Sequence, residues 1–516
     1  MRRLSLLVPI LVIAAVALNP AWAVNFTAGP LVQVTGASPF TGCTADNVAG
    51  QSGQVFLHSE VEPWIDVNPT NPNNLVGAVQ QDRWSNGGAR GLVASSSTNG
   101  GASWTNVVIP GISLCSGGTY DRSTDPWVSF SPNGVVHQLA LSFNDVAPPF
   151  VPRDFDHALL YSKSTNGGLA WSTPVVVIRD LDANVFNDKQ STTADPSDAN
   201  YVYAVWDRLV FPTSERANVI AGFVTAAFRG PAWFSRTTDG GNSWESARLI
   251  YDPGQQSQTI ANQIVVLPNG DLVNIFDLIK ITRGALPRGA IFNVALIRST
   301  NRGVTWGPRA RSGHITPIIV DKLRTIAITD PQTGDDVRTG DIIPDIAVAP
   351  NGHLYAVWQD ARPNGLQADA IVVSKSTNGG FTWSPFAKVN KTPTNISIKN
   401  QQAFTPSVHV AADGTVAVTY YDFRNNDALA PLLTDYFIIH CHPGGAVTCT
   451  NSAHWGDEIK LTNVSFDMRL APFARGFFTG DYEGLSSSNL DFTPFFSQPH
   501  GSDPSSVFFR RVGVGP

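Results

Sequence analysis

The chain has 516 residues, a formal charge of −6 and only 15% charged side chains. That mild acidic balance, with no basic cluster, excludes the electrostatic footprint of a nucleic-acid or anionic-membrane binder. With 44 glycines, 36 prolines and 13 tryptophans against 2 methionines, the composition favours many short strands and turns over helices.

The N-terminus reads as an export signal. Arg2 and Arg3 precede an apolar stretch over residues 4–18, and Ala21-Trp22-Ala23 has the small-x-small form of a cleavage site. Residues 1–23 are therefore expected to be removed, and the mature domain, 24–516, to be secreted into an extracellular or periplasmic space. No later stretch approaches the ~20 apolar residues of a membrane span, so none is expected. Residues 24–61 hold one strand, at 31–35, and a linker.

Cys43, Cys115, Cys441 and Cys449 form an even set, which in an exported chain points to disulfides, although four cysteines allow three pairings. The favoured pairs are Cys441–Cys449, a clip around His442-Pro443-Gly444-Gly445, and Cys43–Cys115, tying the entry strand to a nearby loop. A zinc site from His440, Cys441, His442 and Cys449 matches no standard finger spacing, and no metal or cofactor is expected.

Residues 62–462 are dominated by a repeat. Ser97-Thr98-Asn99-Gly100-Gly101-Ala102-Ser103-Trp104 recurs, with the same pattern of hydroxyl, Asn or Asp, glycine and tryptophan, at Ser164 to Trp171, Thr237 to Trp244, Ser299 to Trp306 and Ser376 to Trp383. The copies stand roughly 60 to 80 residues apart, the spacing of a supersecondary unit. The Asn or Asp is expected to bond backbone N–H groups two residues on. The glycine at the fifth position supplies an unusual backbone angle, and the tryptophan buries a large flat ring across the hairpin.

Strand–turn–strand phrases precede these boxes and a short strand follows each, which makes four antiparallel strands per repeat, the content of a propeller blade. Blades are expected to begin near Glu62, Asp125, Asp188, Ala261, Ile343 and Thr405, six repeat units in all, the sixth with its box replaced by the Cys441–Cys449 loop. Residues 463–516 carry a degenerate last blade starting at Asp481, with three strands of its own and strand 31–35 as its fourth. The expected fold is an all-β propeller of seven four-stranded antiparallel blades closed by its N-terminal strand, or of six if the terminal pieces form a cap. An insertion at 311–340 is expected to cover one rim.

At its boxes the chain resembles the sialidase (neuraminidase) superfamily, the BNR or Asp-box propellers, over most of 62–462. The resemblance implies an exo-acting glycoside hydrolase whose partner is a glycan or glycoconjugate ending in an acidic sugar; a monomer is expected. Enzymes of that family grip the substrate carboxylate with three arginines and use an Asp acid/base and a Tyr nucleophile assisted by Glu. Arginine forks match a carboxylate bidentately, and a neutral Tyr attacks an anionic sugar without charge repulsion. Where the family carries an Arg-Ile-Pro motif ahead of its first box, this chain has Glu62-Pro63-Trp64 and Gln81-Asp82-Arg83. The same hairpins occur in non-catalytic propellers, so glycan or protein binding stands as the alternative function.

Arg83, Arg208, Arg362 and Arg424 each follow a strand-end Asp, either as substrate-binding arginines on a rim or as partners in local ion pairs. Glu62, Asp125, Asp188 and Asp481 stand where first strands begin and are expected near the central channel. Asp125 is the expected proton donor, because desolvation beside Trp127 raises a carboxyl pKa. Gly480-Asp481-Tyr482-Glu483-Gly484 breaks the repeat, and in it Tyr482 is the expected nucleophile with Glu483 as its assistant; the other reading is a strand start with a packed Tyr.

Overall fold

The computed structural model describes residues 26–45, 53–144, 146–147, 151–152, 156–182, 184–210, 229–281, 290–429 and 431–514. The expected leader, 1–23, lies outside them. Among the described residues the protein is all-β, with helical turns confined to short 3-10 segments such as Leu114–Ser116. No described helix is long and apolar enough to cross a membrane.

The first unit is an antiparallel meander of Glu60–Val67, Leu75–Arg83, Ala89–Ser97 and Thr105–Val108. Five more meanders of four strands follow, opening with Arg122–Phe130, Val185–Ala194, Ser257–Val266, Asp345–Val348 and Ala403–Val410. The last unit comprises Gly484–Ser488, Asp491–His500 and Asp503–Phe509, and Val32–Gln33 pairs antiparallel with the third of these. Phe26–Ala28 adds a pairing to Val512–Val514.

The boxes pin the outer hairpins through one repeated set of bonds. In the first, Ser97 Oγ accepts the Gly101 N–H at 2.9 Å, Asn99 Oδ1 accepts the Ser103 N–H at 3.0 Å, and Trp104 Nε1 donates to Gly101 O at 3.1 Å. The Asn therefore reaches four residues on, not the expected two, because two consecutive residues at left-handed φ, here Gly100 and Gly101, swing the chain around before an N–H faces the side chain. The second, fourth and fifth boxes reproduce all three bonds.

The fifth-position glycine has a further role. Gly101 has φ +92°, and a Cβ there would lie 2.0 Å from the Phe509 ring of the last unit. Gly241 stands likewise over Tyr161 of the second unit at 1.9 Å, and Gly303 over Phe234 of the third at 2.4 Å. A box thus seats its unit on the one before. Trp104 extends the first of these seams, packing on Phe495 and Phe509.

The sixth unit has no box, and the Cys441–Cys449 disulfide occupies that place, with buried Trp455 donating from Nε1 to Cys449 O at 3.0 Å. The Cys43–Cys115 disulfide fastens the N-terminal segment to the first unit. Thr35 Oγ1 also donates to Glu60 at 2.7 Å, and Ser38 Oγ to Asp82 at 2.6 Å. Carboxylates stitch neighbouring units on the inner side: Asp66 accepts the Phe130 N–H at 2.7 Å and Asp345 the Val408 N–H at 2.8 Å.

Two straps, residues 325–345 and 466–480, stand outside the four-stranded meanders. Within the insertion, Ile318–Leu323 is the outermost strand of the fourth unit, and Val337–Arg338 runs parallel to Phe477–Phe478, just ahead of the last unit. Arg469 forks Asp330 at 2.6 and 3.1 Å, so the two straps are joined by charge as well as by backbone.

The seams and the box bonds differ in strength. Asn166→Ala removes one box acceptor and is expected to cost about 1 kcal/mol. Gly241→Ala puts a methyl into Tyr161 at a left-handed backbone angle and is expected to cost about 3 kcal/mol. Urea unfolding of the two variants checks the order; equal costs would remove the seam from the account.

Candidate functional site

Five innermost strands carry the same irregularity. Their register shifts between Val61 and Trp64, Thr124 and Trp127, Asp188 and Ser191, Ile260 and Gln263, and Phe404 and Ser407. At each shift one residue adopts left-handed φ: Glu62, Asp125, Lys189, Ala261 and Thr405, all between 48° and 59°. A bulge re-aims a side chain out of the pleat. Three of the five carry charge, and those three come from consecutive units.

Their charges meet at Lys189. Its Nζ lies 2.7 Å from Asp481 Oδ2, 3.2 Å from Glu62 Oε1 and 3.7 Å from Asp125 Oδ2. Burial opposes the charge on Lys189, yet Asp125, Asp481 and Glu62 override it and raise its pKa. Burial likewise opposes ionisation of Asp481, but Arg338 and Lys189 hold it well below the ordinary carboxylate range. Arg338 meets Asp481 with both Nε, at 2.9 Å, and Nη2. Glu62 is pushed up to about 8 by burial, with Lys189 pulling the other way. Asp188 rises to about 6, from burial and from Asp125. Asp125 Oδ1 accepts from Thr124 at 2.9 Å, whereas its buried Oδ2 accepts no hydrogen bond among the described residues.

Beside the carboxylates three guanidinium groups draw together. Arg83, on the second strand of the first unit, is buried, with Nη1 donating to Gln80 at 2.9 Å and Gly88 O at 3.0 Å. Its Nε is buried and reaches no acceptor among the described residues. Arg338 and Arg475 come from the two straps. The Arg475 pKa is lowered to about 10, first by Arg338 and then by burial, with Arg83 adding to the effect. Arg83 and Arg338 both lie over the Phe478 ring, at 5.1 and 4.3 Å from its centre.

An aromatic wall completes the site. Trp64 and Trp127 stack at 3.6 Å, and Tyr482 meets them at 6.0 and 5.5 Å. Tyr482 Oη donates to Pro126 O at 3.3 Å; its pKa stands well above the ordinary value through burial, and Glu62 is the strongest of the charges acting on it. These rings, with Asp125, Lys189, Gln190 and Asp481, line a cavity of about 30 Å³. Among the described residues no set of His, Cys, Asp and Glu has the arrangement of a metal site.

Of the residues singled out in the sequence, Asp125, Tyr482 and Arg83 come together here. Glu483 also borders the cavity, but its carboxylate is taken up elsewhere, accepting from Tyr421 Oη at 2.9 Å and Ser497 N at 3.0 Å. The other arginines are held by carboxylates elsewhere. Arg208 pairs with Asp180 at 2.7 Å, Arg362 with Asp360 at 2.6 Å and Asp321 at 3.2 Å, and Arg424 with Asp422 at 2.7 Å and with Glu458. The strand-end ion pair therefore forms for Arg362 and Arg424, while Asp82 turns instead to Arg90 at 3.3 Å.

Lys189, Arg338, Arg475 and Phe478 went unnoticed in the sequence. For Lys189 a signal existed: matching the units by their bulges places it, not Asp188, opposite Glu62 and Asp125. Arg338 and Arg475 lie outside the repeat, where periodicity carries no information.

No family model matches the chain, and no curated protein matches it. Solved structures do. A Hadza microbial sialidase, Hz136, is 13% identical over 86% of this chain and 74% of its own, with a TM-score of 0.45. An alpha-L-arabinanase of Penicillium chrysogenum, complexed with arabinobiose, is 12% identical over 76% and 94%, with a TM-score of 0.44. A protein of unknown function from Dyadobacter fermentans is 15% identical over 76% and 95%, with a TM-score of 0.45.

Buried acids give the fold a pH dependence whose sign is fixed. Glu60, Glu62, Asp207 and Asp369 are each pushed up to about 8 by burial. Between their ordinary values near 4 and pH 8 the folded chain binds more protons than the unfolded one, so these groups make stability fall as pH rises. Glu60→Gln keeps an acceptor for Gln81 and meets the Thr35 hydroxyl with an amide donor in place of an acceptor, and is expected to flatten the decline in melting temperature between pH 5 and 8. An unchanged slope would remove Glu60 from the account.

Proposed function

We propose that the protein is an exported, monomeric glycan-active hydrolase of sialidase type, acting on a terminal sugar that bears a carboxylate. Its seven units close into a propeller in which Val32–Gln33 completes the last blade. The observation that carries the reading is the convergence of Arg83, Arg338 and Arg475 beside Tyr482, Glu62 and Asp125. Gathering three guanidinium groups costs electrostatic energy that Asp481 and Glu62 offset in part and an anionic ligand offsets further, and arginine forks suit a carboxylate. Arg83 Nε, buried and without an acceptor among the described residues, is a donor such a ligand can meet.

In this reading the arginines hold the sugar carboxylate and the Trp64–Trp127–Tyr482 wall orients the ring. Tyr482 Oη bonds to the anomeric carbon as the glycosidic C–O bond breaks. The Tyr proton passes to the Glu62 carboxylate, and Asp125 protonates the leaving oxygen. Water then attacks the same carbon as its bond to Tyr482 Oη breaks, giving a proton to Asp125, while Glu62 returns one to the released Tyr482 oxygen. Glu62 takes the assisting role that the sequence offered to Glu483.

A fluorogenic sialoside tests this. Turnover is expected in the intact protein, with kcat reduced more than roughly a hundredfold in Tyr482→Phe. Arg338→Ala is expected to raise KM about tenfold. Activity untouched by both substitutions would end the assignment.

The pH profile tests the proton path separately. Because Glu62 must be charged to take the Tyr482 proton, the ascending limb of kcat is expected near pH 8. Glu62→Gln is expected to abolish that limb and lower kcat roughly a hundredfold. A limb that persists in Glu62→Gln would assign the proton to another group.

One observation favours a second reading, a non-catalytic glycan-binding propeller. Arg338 and Lys189 are already engaged by Asp481, so a ligand carboxylate must compete with an internal one. No turnover together with saturable binding on a glycan array would decide for it.

A further inference from the structure

We propose that Phe478 is the positioning residue that lets Arg83 and Arg338 stand together, its ring acting as the common counter-surface for both guanidinium groups. The inference rests on the carboxylate-recognition reading above and adds to it the element that holds the recognition site together before a ligand arrives.

Like charges repel most strongly where water is excluded, and these two are placed in such a site. Arg83 is 3% exposed, and Arg338 acts against its charge, burial being the larger cause. Carboxylates supply compensation to both, Asp481 forking Arg338 and Glu62 acting on Arg83 more strongly than Arg338 opposes it, but the hydrogen bonds of Arg83 itself go to neutral oxygens. Both guanidinium carbons lie over the Phe478 ring, at 5.1 and 4.3 Å. An aromatic face carries partial negative charge and attracts a cation most when the pair is desolvated. Phe478 is fully buried, packed with Val61 and Ala474.

The backbone fixes the arrangement. Val337–Arg338 runs parallel to Phe477–Phe478 with Arg338 opposite Phe478, so the ladder sets where guanidinium and ring meet. Gly476 makes this approach possible: its φ is +134°, and a Cβ there would stand 2.8 Å from Arg338 N. Arg475 precedes that glycine, so one short segment carries both the third guanidinium group and the ring.

The test separates ring charge from ring volume. Replacing Phe478 with 3,4,5-trifluorophenylalanine keeps the shape and drains the face of negative charge; Phe478→Leu removes the face, and Phe478→Tyr restores it. KM for the acidic glycoside is expected to rise about fivefold with the fluorinated ring and about tenfold with Leu, with kcat changed less than about twofold and Tyr near the parent value. Isothermal titration with free N-acetylneuraminic acid is expected to show the same order, and supplies the readout if a variant turns over too slowly. The fluorinated protein serves where Leu does not fold. If the fluorinated ring leaves KM and affinity unchanged while Arg338→Ala raises KM, Phe478 is packing alone and the inference falls. If Arg83→Ala and Arg338→Ala also leave KM and affinity unchanged, the carboxylate-recognition reading falls with it.

Discussion

A side chain standing over a bare left-handed glycine is the contact on which this architecture rests. Gly101 beneath Phe509, Gly241 beneath Tyr161 and Gly303 beneath Phe234 are one device at three seams. Each uses the backbone freedom of glycine twice, to turn the hairpin and to clear space for a neighbour's ring. The box bonds from Ser97 and Asn99 hold the turn in the shape that presents that space. The chain thus fixes the spacing of its sheets on their outer edges, with short-range bonds, and leaves the inner edges open to other demands.

Those demands are met by the bulges. The extra residue at left-handed φ recurs on inner strands with Ala261 and Thr405 as well as with charged residues, so the backbone irregularity belongs to the repeat and is not itself chemistry. Chemistry enters through which residue occupies it. Glu62, Asp125 and Lys189 fill the positions of three consecutive units, and Asp481 reaches the same point from the last. A symmetric scaffold becomes asymmetric by substitution at equivalent places, and the carboxyl pKa values then spread apart: Arg338 and Lys189 hold Asp481 far down, while burial pushes Glu62 up to about 8.

The repeat made the fold legible. Boxes, turns and strand phrases gave the order of the meanders, and the strand at 31–35 has its counterpart in Val32–Gln33 beside Asp503–Phe509. The site was legible only in part. Asp125 stands at the bulge of an innermost strand, Tyr482 leads into another, and Arg83 reaches the same place from the end of a second strand. The carboxylate of Glu483 is bonded to Tyr421 and Ser497. Arg208, Arg362 and Arg424 form ion pairs with carboxylates, the second of the two readings their place after a strand-end Asp allowed. Arg338 and Arg475 were invisible for the converse reason: what places them is a parallel pairing between segments far apart in the chain, and no local pattern encodes it.

That separation has an evolutionary consequence. The residues that determine whether the chain folds lie in boxes and seams, whereas two of the three guanidinium groups and the ring beneath them ride on straps that contribute no box to the repeat. Substitution within 325–345 or 466–480 can therefore remodel this charged cluster while the scaffold drifts under its own, unrelated constraints. Descendants of one ancestor need share neither recognition chemistry nor much overall identity, and their kinship is then written in the hairpins alone.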